Sequence, residues 1–226
     1  MPRRKRGAYA PKKERAGCHP DEWNTPPDER SFVLRIRGGH LPDLDPATKG
    51  KRLAFGRDYF TPSSRVPGLR DRNSRHTRGG LAHHWHGFIF LNMPYSTADD
   101  WMQHLVCQVE RTKSPATVLA LVPVRTGRPW WQDYATRATA RWDVPGRIRF
   151  FDPVLNRIGT QPTFDSSYLL FDPYARYIEA FARECAARCK GTDRILRPNE
   201  PRPLAHLPTL ALTMTTRPRG LQRVRA

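Results

Sequence analysis

The stretch Phe88-Ile89-Phe90-Leu91-Asn92-Met93-Pro94-Tyr95-Ser96 leaves this chain the fewest choices of fold. Four consecutive large apolar residues suit a strand buried on both faces, and the amide, proline and aromatic that follow end it. Ser96 or Thr97 then offers an N-cap, and Asp99 and Asp100 fall in the first turn of a helix, where carboxylates meet the positive end of the helix dipole. A strand passing through a polar turn into a helix is the repeating unit of an α/β sheet, and such sheets bind ligands at the carboxyl ends of their strands. The turn has chemistry of its own. An amide oxygen and a backbone carbonyl can accept both hydrogens of an exocyclic amine, while a tyrosine ring stacks on the base that carries it.

The neighbouring segments extend the pattern. Residues 97–112 are predicted to be a helix, because Trp101, Leu105 and Val109 recur every four residues and Met102 and Val106 widen the apolar stripe. Ser114-Pro115 ends it, and residues 117–123 read as a second buried strand of the parallel type. The loop Arg125-Thr126-Gly127-Arg128 follows, and Pro129-Trp130-Trp131 starts another helix with proline at a favourable early position. Upstream, the prolines of Thr25-Pro26-Pro27 force an extended entry before the short apolar run of residues 32–36. Residues 41–47 read as a strand ending in a turn, with Asp45 at its carboxyl end. An acid there is placed for ribose hydroxyls or an amino group, although Asp-Pro is also a common plain turn. Residues 147–151 and 167–171 read as further strands around a polar loop, and residues 174–189 as an amphipathic helix with Tyr177, Ile178, Phe181 and Cys185 toward the core. The expected fold is α/β and Rossmann-like, a mixed, mostly parallel sheet with helices on both faces.

Charge narrows the partner. Lysine and arginine number 39 against 21 aspartates and glutamates, a formal net charge of +18. That excess points to a polyanion, most simply nucleic acid. Residues 1–17 read as a disordered basic arm, 18–190 as one domain, and 191–226 as a basic, Pro-rich tail in which residues 207–214 could add a late strand. The long basic loop of residues 48–80 carries Arg65, Arg70, Arg72, Arg75 and Arg78. His83, His84 and His86 are spaced too closely to share a helix face and have no acidic neighbour, so no metal site is expected. Cys18, Cys107, Cys185 and Cys189 form neither a disulfide framework nor a zinc pattern. No apolar run reaches the roughly 20 residues of a membrane helix, and an intracellular, cytoplasmic protein is expected.

Taken in order, these segments resemble the phage-type DNA N6-adenine methyltransferase (Dam) family over about residues 20–182. The matching pieces are Asp21 to Pro27, Leu44-Asp45-Pro46-Ala47, Tyr59-Phe60-Thr61, Gly80-Leu81 with Trp85-His86-Gly87, Asn92-Met93-Pro94-Tyr95-Ser96, residues 121–126 with Trp130-Trp131, and residues 146–150. The resemblance implies an S-adenosylmethionine-dependent methyltransferase fold and in-line transfer of a methyl group to the N6 amine of a flipped adenine in double-stranded DNA. It implies catalytic roles for Asn92, Met93, Pro94 and Tyr95, and cofactor contacts from Thr25, Pro26, Asp45, Pro46 and Ala47. DNA contacts are expected from Arg65, Arg70, Arg75, Arg78, Arg125 and Trp130, in a chain more simply monomeric. Two positions depart from the family pattern: Met93 replaces the usual first proline, and Gly79 stands where an acid is usual before Gly-Leu. Two alternatives stay open, cytosine-N4 methylation and a silent DNA-binding protein on the same fold.

Overall fold

A computed structural model describes residues 21, 24–62, 79–152, 157–159 and 162–193. The expected basic arm, the arginines 65, 70, 72, 75 and 78, and the suggested strand at residues 207–214 lie outside the described residues. The fold is α/β, built on a mostly parallel mixed sheet of six strands that is compatible with a Rossmann-like arrangement.

In chain order the helices are α1 (Pro27–Ile36), α2 (Ala98–Val109), α3 (Pro129–Asp133) and α4 (Ile178–Asp193). The strands are β1 (Leu44–Asp45), β2 (Asp58–Tyr59), β3 (Phe88–Leu91), β4 (Thr117–Pro123), β5 (Ala140–Asp143), β6 (Phe151–Asp152), β7 (Arg157–Ile158) and β8 (Ser166–Phe171). The large sheet runs β2-β1-β3-β4-β8-β5, and β6 and β7 form a separate hairpin. Only β8 runs against its neighbours β4 and β5. The apolar runs decide this arrangement. Every residue of β3, β4 and β8 is buried, as strands covered on both faces must be.

Alternation along those strands splits the core in two. Ile89, Leu91, Val118, Ala120, Val122, Leu169 and Phe171 face α2 and α3. Phe88, Phe90, Leu119, Leu121, Tyr168 and Leu170 face α1 and α4. Each buried Val, Leu, Ile or Phe side chain among them contributes roughly 1.5–3 kcal/mol relative to exposure. A one-residue slip of β3 would exchange its two faces and mismatch both layers.

Several elements differ from expectation. The apolar run at residues 32–36 lies in α1, where Phe32, Val33 and Ile36 fall on one buried face behind Pro27. Residues 147–150 are not a strand. Ile148 and Phe150 are buried in alternation, but only Phe151 and Asp152 pair, with β7, and Phe151 also bridges Asn24. Strand β5, unforeseen, is an edge strand whose Ala140 and Trp142 are only partly buried. Helix α4 begins four residues later than expected, because Asp172 Oδ2 accepts the Tyr177 N–H and Ala175 takes a positive φ of 54°. Its last residues, 191–193, belong to the helix and not to a tail. No described helix is long and apolar enough to cross a membrane.

Candidate functional site

The strand order has one reversal that matters. From β1 the chain moves outward to β2, whereas from β3 it moves through α2 to β4 on the other side. The neighbours β1 and β3 therefore flank a switch point, and the crevice beyond their carboxyl ends is where open α/β sheets bind ligands. A cleft of about 600 Å³ opens there. Asp45 ends β1 and Asn92 follows β3, so the two turns singled out in the sequence meet at this cleft.

Asn92 is held from two sides. Its Nδ2 donates to Thr25 Oγ1 at 3.0 Å, and its Oδ1 accepts from the Tyr95 hydroxyl at 3.2 Å. Thr25 is 7% exposed, so this hydroxyl is a fixed acceptor and orients the amide. Tyr95 packs edge-to-face against Phe150 and Phe164, with ring centroids 6.1 and 5.4 Å away. Burial pushes its phenol well above the usual tyrosine value, so it stays a neutral donor. The expected side-chain cap of α2 is absent. Tyr95–Thr97 form a 3₁₀ turn, Thr97 makes no capping bond, and Asp21 instead accepts from the Ser96 N–H (3.2 Å) and the Ser96 hydroxyl (2.6 Å).

Met93 and Gly79 each have a physical explanation in the structure. The Met93 side chain is 3% exposed and packs in the core beneath α2. It anchors the turn by burial where a proline would stiffen it by ring closure. Gly79 has φ +71° and ψ −171°, a conformation essentially confined to glycine, so an acid there would be strained. Gly80 lies so close to the Asp45 turn that a Cβ would sit 2.1 Å from the Pro46 oxygen. Its own carbonyl accepts from Trp85 Nε1 at 2.9 Å.

The Asp45 carboxylate accepts from the backbone N–H of Ala47 (3.1 Å) and of Phe55 (2.9 Å). Desolvation raises its pKa, and those two bonds and the positive charge of Arg30 only partly oppose the rise. Arg30 projects from the first turn of α1 into the same wall.

Of the residues expected at the site, Thr25, Asp45, Ala47, Asn92, Met93, Pro94, Tyr95, Arg125 and Trp130 all line the cleft. Pro26 and Pro46 do not. The Pro26 carbonyl accepts the Glu29 and Arg30 N–H groups that start α1, and Pro46 packs against Gly80. Trp130 is 7% exposed and lies against Trp131, so most of its ring serves the core. Arg125 is exposed, with its guanidinium 5.6 Å from the Phe164 ring. Sequence reasoning missed Asp21 as the brace of the turn, and also Arg30, Phe55 and Phe164. Only Arg30 had a signal: it lies off the apolar face of a short helix beginning at Pro27.

The site thus defines an α/β protein with a polar, aromatic-walled cleft at the switch point of its sheet. No protein-family model matches the chain, and no curated protein matches it.

Proposed function

We propose that the chain is an S-adenosylmethionine-dependent DNA methyltransferase acting on the N6 amine of adenine. The observation that carries this reading is the Asn92 amide, oriented by Thr25 and opening into the same cleft as the Asp45 turn. The Thr25 hydroxyl, from a segment 67 residues away, takes the Nδ2 end of that amide, so Oδ1 is the end left to accept from a ligand or from Tyr95.

The residues present fit such a cofactor. The cleft has the volume of a small-molecule site, with Leu53, Phe55 and Phe90 as apolar wall. Asn24 Nδ2, also lining the cleft, is buried without a hydrogen-bond partner among the described residues, a donor suited to a ligand acceptor. Asp45, Ala47 and Thr25 would hold the cofactor. When bound, S-adenosylmethionine supplies an electrophilic methyl group on a sulfonium centre.

The chain's own residues do the rest. Asn92 Oδ1 and the Met93 carbonyl accept from the two amine hydrogens and draw the nitrogen lone pair out of conjugation with the ring. Positive charge would grow on that nitrogen in the transition state, so preset acceptors stabilise it more than the ground state, and the methylated nitrogen then releases one proton to water. Placement supplies the remaining advantage. The amine cannot be reached inside a stacked duplex, so the base must flip into the cleft, beside the Tyr95, Phe150 and Phe164 rings. Backbone affinity would come from charge: residues 1–20, 63–78 and 194–226 carry 19 of the 39 lysines and arginines but 3 of the 21 acids.

The test is incubation with labelled S-adenosylmethionine and unmethylated duplex DNA, followed by nucleoside analysis. Label in N6-methyl-2′-deoxyadenosine supports the reading, label in N4-methyl-2′-deoxycytidine redirects it to the other amine, and no label from folded protein removes it. One observation favours a second reading, a DNA-binding protein that does not methylate: the Asn92 oxygen already accepts from Tyr95.

A further inference from the structure

Arg30 sits in the cleft wall with an unusual set of partners. Its Nε donates to the Thr25 carbonyl at 3.1 Å, and its Nη2 donates to the Leu53 carbonyl at 3.0 Å. Its guanidinium lies 5.2 Å from the centre of the Phe55 ring. All of these partners are neutral. Two other partly buried arginines have carboxylates, Arg37 with Asp43 and Arg188 with Glu29; Arg111, which does not line the cleft, has none among the described residues. Among the described residues no carboxylate forms an ion pair with Arg30. The nearby acid, Asp45, gives its oxygens to the amides of Ala47 and Phe55. Burial works against the charge of Arg30, and the attraction of Asp45 offsets only part of that. A half-buried cation of this kind, lining a cleft with N–H groups to spare, calls for an anion from outside the chain.

We infer that Arg30 is the carboxylate-binding residue of the cleft and holds the amino-acid end of the bound cofactor, a step that rests on the methyltransferase reading above. Arg30 and Asp45 are opposite charges on one wall that make no hydrogen bond to each other. An α-amino acid is their complement: its carboxylate suits the guanidinium fork, and its ammonium suits Asp45. A neutral or purely cationic ligand would leave Arg30 uncompensated. This gives α1, which the sequence marked only by the short apolar run of residues 32–36, a direct part in cofactor selection.

The deciding experiment is titration calorimetry of the full chain with S-adenosylmethionine and with its decarboxylated form, which differ at the carboxylate alone. The wild type should prefer the carboxylated ligand by roughly ten- to a hundredfold, the range of one charge-assisted contact. Arg30→Gln should erase that preference by weakening S-adenosylmethionine, leaving the decarboxylated ligand within about twofold. Arg30→Lys should keep part of it. Equal wild-type affinities, or a preference that survives Arg30→Gln, would overturn the inference while leaving the enzyme reading in place. A wild type that binds neither ligand removes both. Should Arg30→Gln fail to fold by circular dichroism, the wild-type pair and Arg30→Lys still decide. A variant that keeps both ligand affinities but loses binding to a short single-stranded oligonucleotide would assign the guanidinium to a DNA phosphate instead, and the inference would fall.

Discussion

Asp43 and Asp45 are separated by a single residue, and their surroundings show what separates a structural acid from one at a site. At the amino end of the sheet, Asp43 Oδ2 accepts from the Phe88 N–H (2.8 Å) and from Arg37 Nη2 (3.0 Å), and Arg57 Nη1 stands 3.5 Å from its other oxygen. Gly87, with φ +78°, presses so close that a Cβ there would lie 2.4 Å from the carboxylate. These contacts tie α1 to the start of β3, with both oxygens near guanidinium groups. At the carboxyl end, Asp45 meets two backbone amides and, among the described residues, no guanidinium at bonding distance, and its pKa is raised by desolvation. A raised acid in a cleft is the usual mark of a functional position, whereas ion-paired acids more often serve the fold. The same residue type therefore holds the fold together at one end of β1 and faces the cleft at the other.

Substitutions at the two ends should separate activity from stability. The largest effect is expected from Asn92→Ala at the cleft, where methyl transfer should fall a hundred- to a thousandfold, about 3–4 kcal/mol of transition-state stabilisation. Cofactor binding and the urea midpoint should stay near wild type, so single-turnover kinetics beside a denaturation curve checks both halves. Full activity in Asn92→Ala would make the turn architecture only. Asp43→Ala should do the reverse. It strands the Phe88 N–H and the partly buried Arg37, and partial exposure of the pair holds the expected loss of stability to about 2–3 kcal/mol. Activity per folded molecule should hold. A Asp43→Ala protein as stable as wild type would show that the Arg37 pair contributes nothing net.

Asp45→Asn sharpens the contrast through pH. The folded pKa of Asp45 lies above its unfolded value of about 3.9. Folding therefore favours the protonated acid: this contribution is fully present below about pH 4 and is lost as pH rises through the raised folded value. The amide variant cannot titrate, although it has one oxygen fewer to serve two N–H groups, a constant cost of about 1 kcal/mol. Urea midpoints from pH 4 upward should fall for wild type relative to Asp45→Asn. A difference that does not change with pH would show that Asp45 bears no net desolvation of its charge.

Much of the fold was legible because β3 is an unbroken apolar run and β4 and β8 are largely apolar, as strands of a sheet covered on both sides require. The sheet's edges were not. Strand β5 alternates partly buried Ala140 and Trp142 with exposed, charged Arg141 and Asp143 over only four residues, too short a run to stand out, and β2 is two exposed residues with no pattern to read. Residues 147–150 alternate as a strand would, but their burial comes from packing of Ile148 and Phe150 without pairing. At the site, Asn92, Tyr95 and Asp45 were legible because chain-local chemistry marks them: an amide after a strand, an aromatic after proline, an acid before proline. Asp21, Phe55 and Phe164 were not, since each reaches the cleft by tertiary contact across loops of no regular period. Gly79 was legible only as a departure from the resembled pattern, for a related reason. Its positive φ belongs to the backbone path toward Gly80 and Pro46, and nothing in the neighbouring residues announces it.

The smallest expected effect decides between the two readings of the cleft. Tyr95 donates to Asn92 Oδ1, the atom proposed to accept from the target amine, and a carbonyl oxygen shared between two donors is a weaker acceptor for each. Tyr95→Phe removes the hydroxyl and keeps the ring between Phe150 and Phe164. Because the bond is partly buried and neutral, its loss should cost about 1 kcal/mol of stability or less. Its effect on rate carries the information. If the hydroxyl only parks on Asn92 until the amine arrives, the phenylalanine variant should methylate as fast as wild type or up to a few times faster, with unchanged binding of S-adenosylmethionine. If instead the hydroxyl helps to aim the amide in the reacting complex, Tyr95→Phe should lose rate in proportion to that role. The combination with Thr25→Val, which removes the other restraint on Asn92, should then lose more than the two single changes predict. A wild-type chain without activity that acquires it as Tyr95→Phe would identify this hydrogen bond as the block, and would make the silent state a matter of one donor.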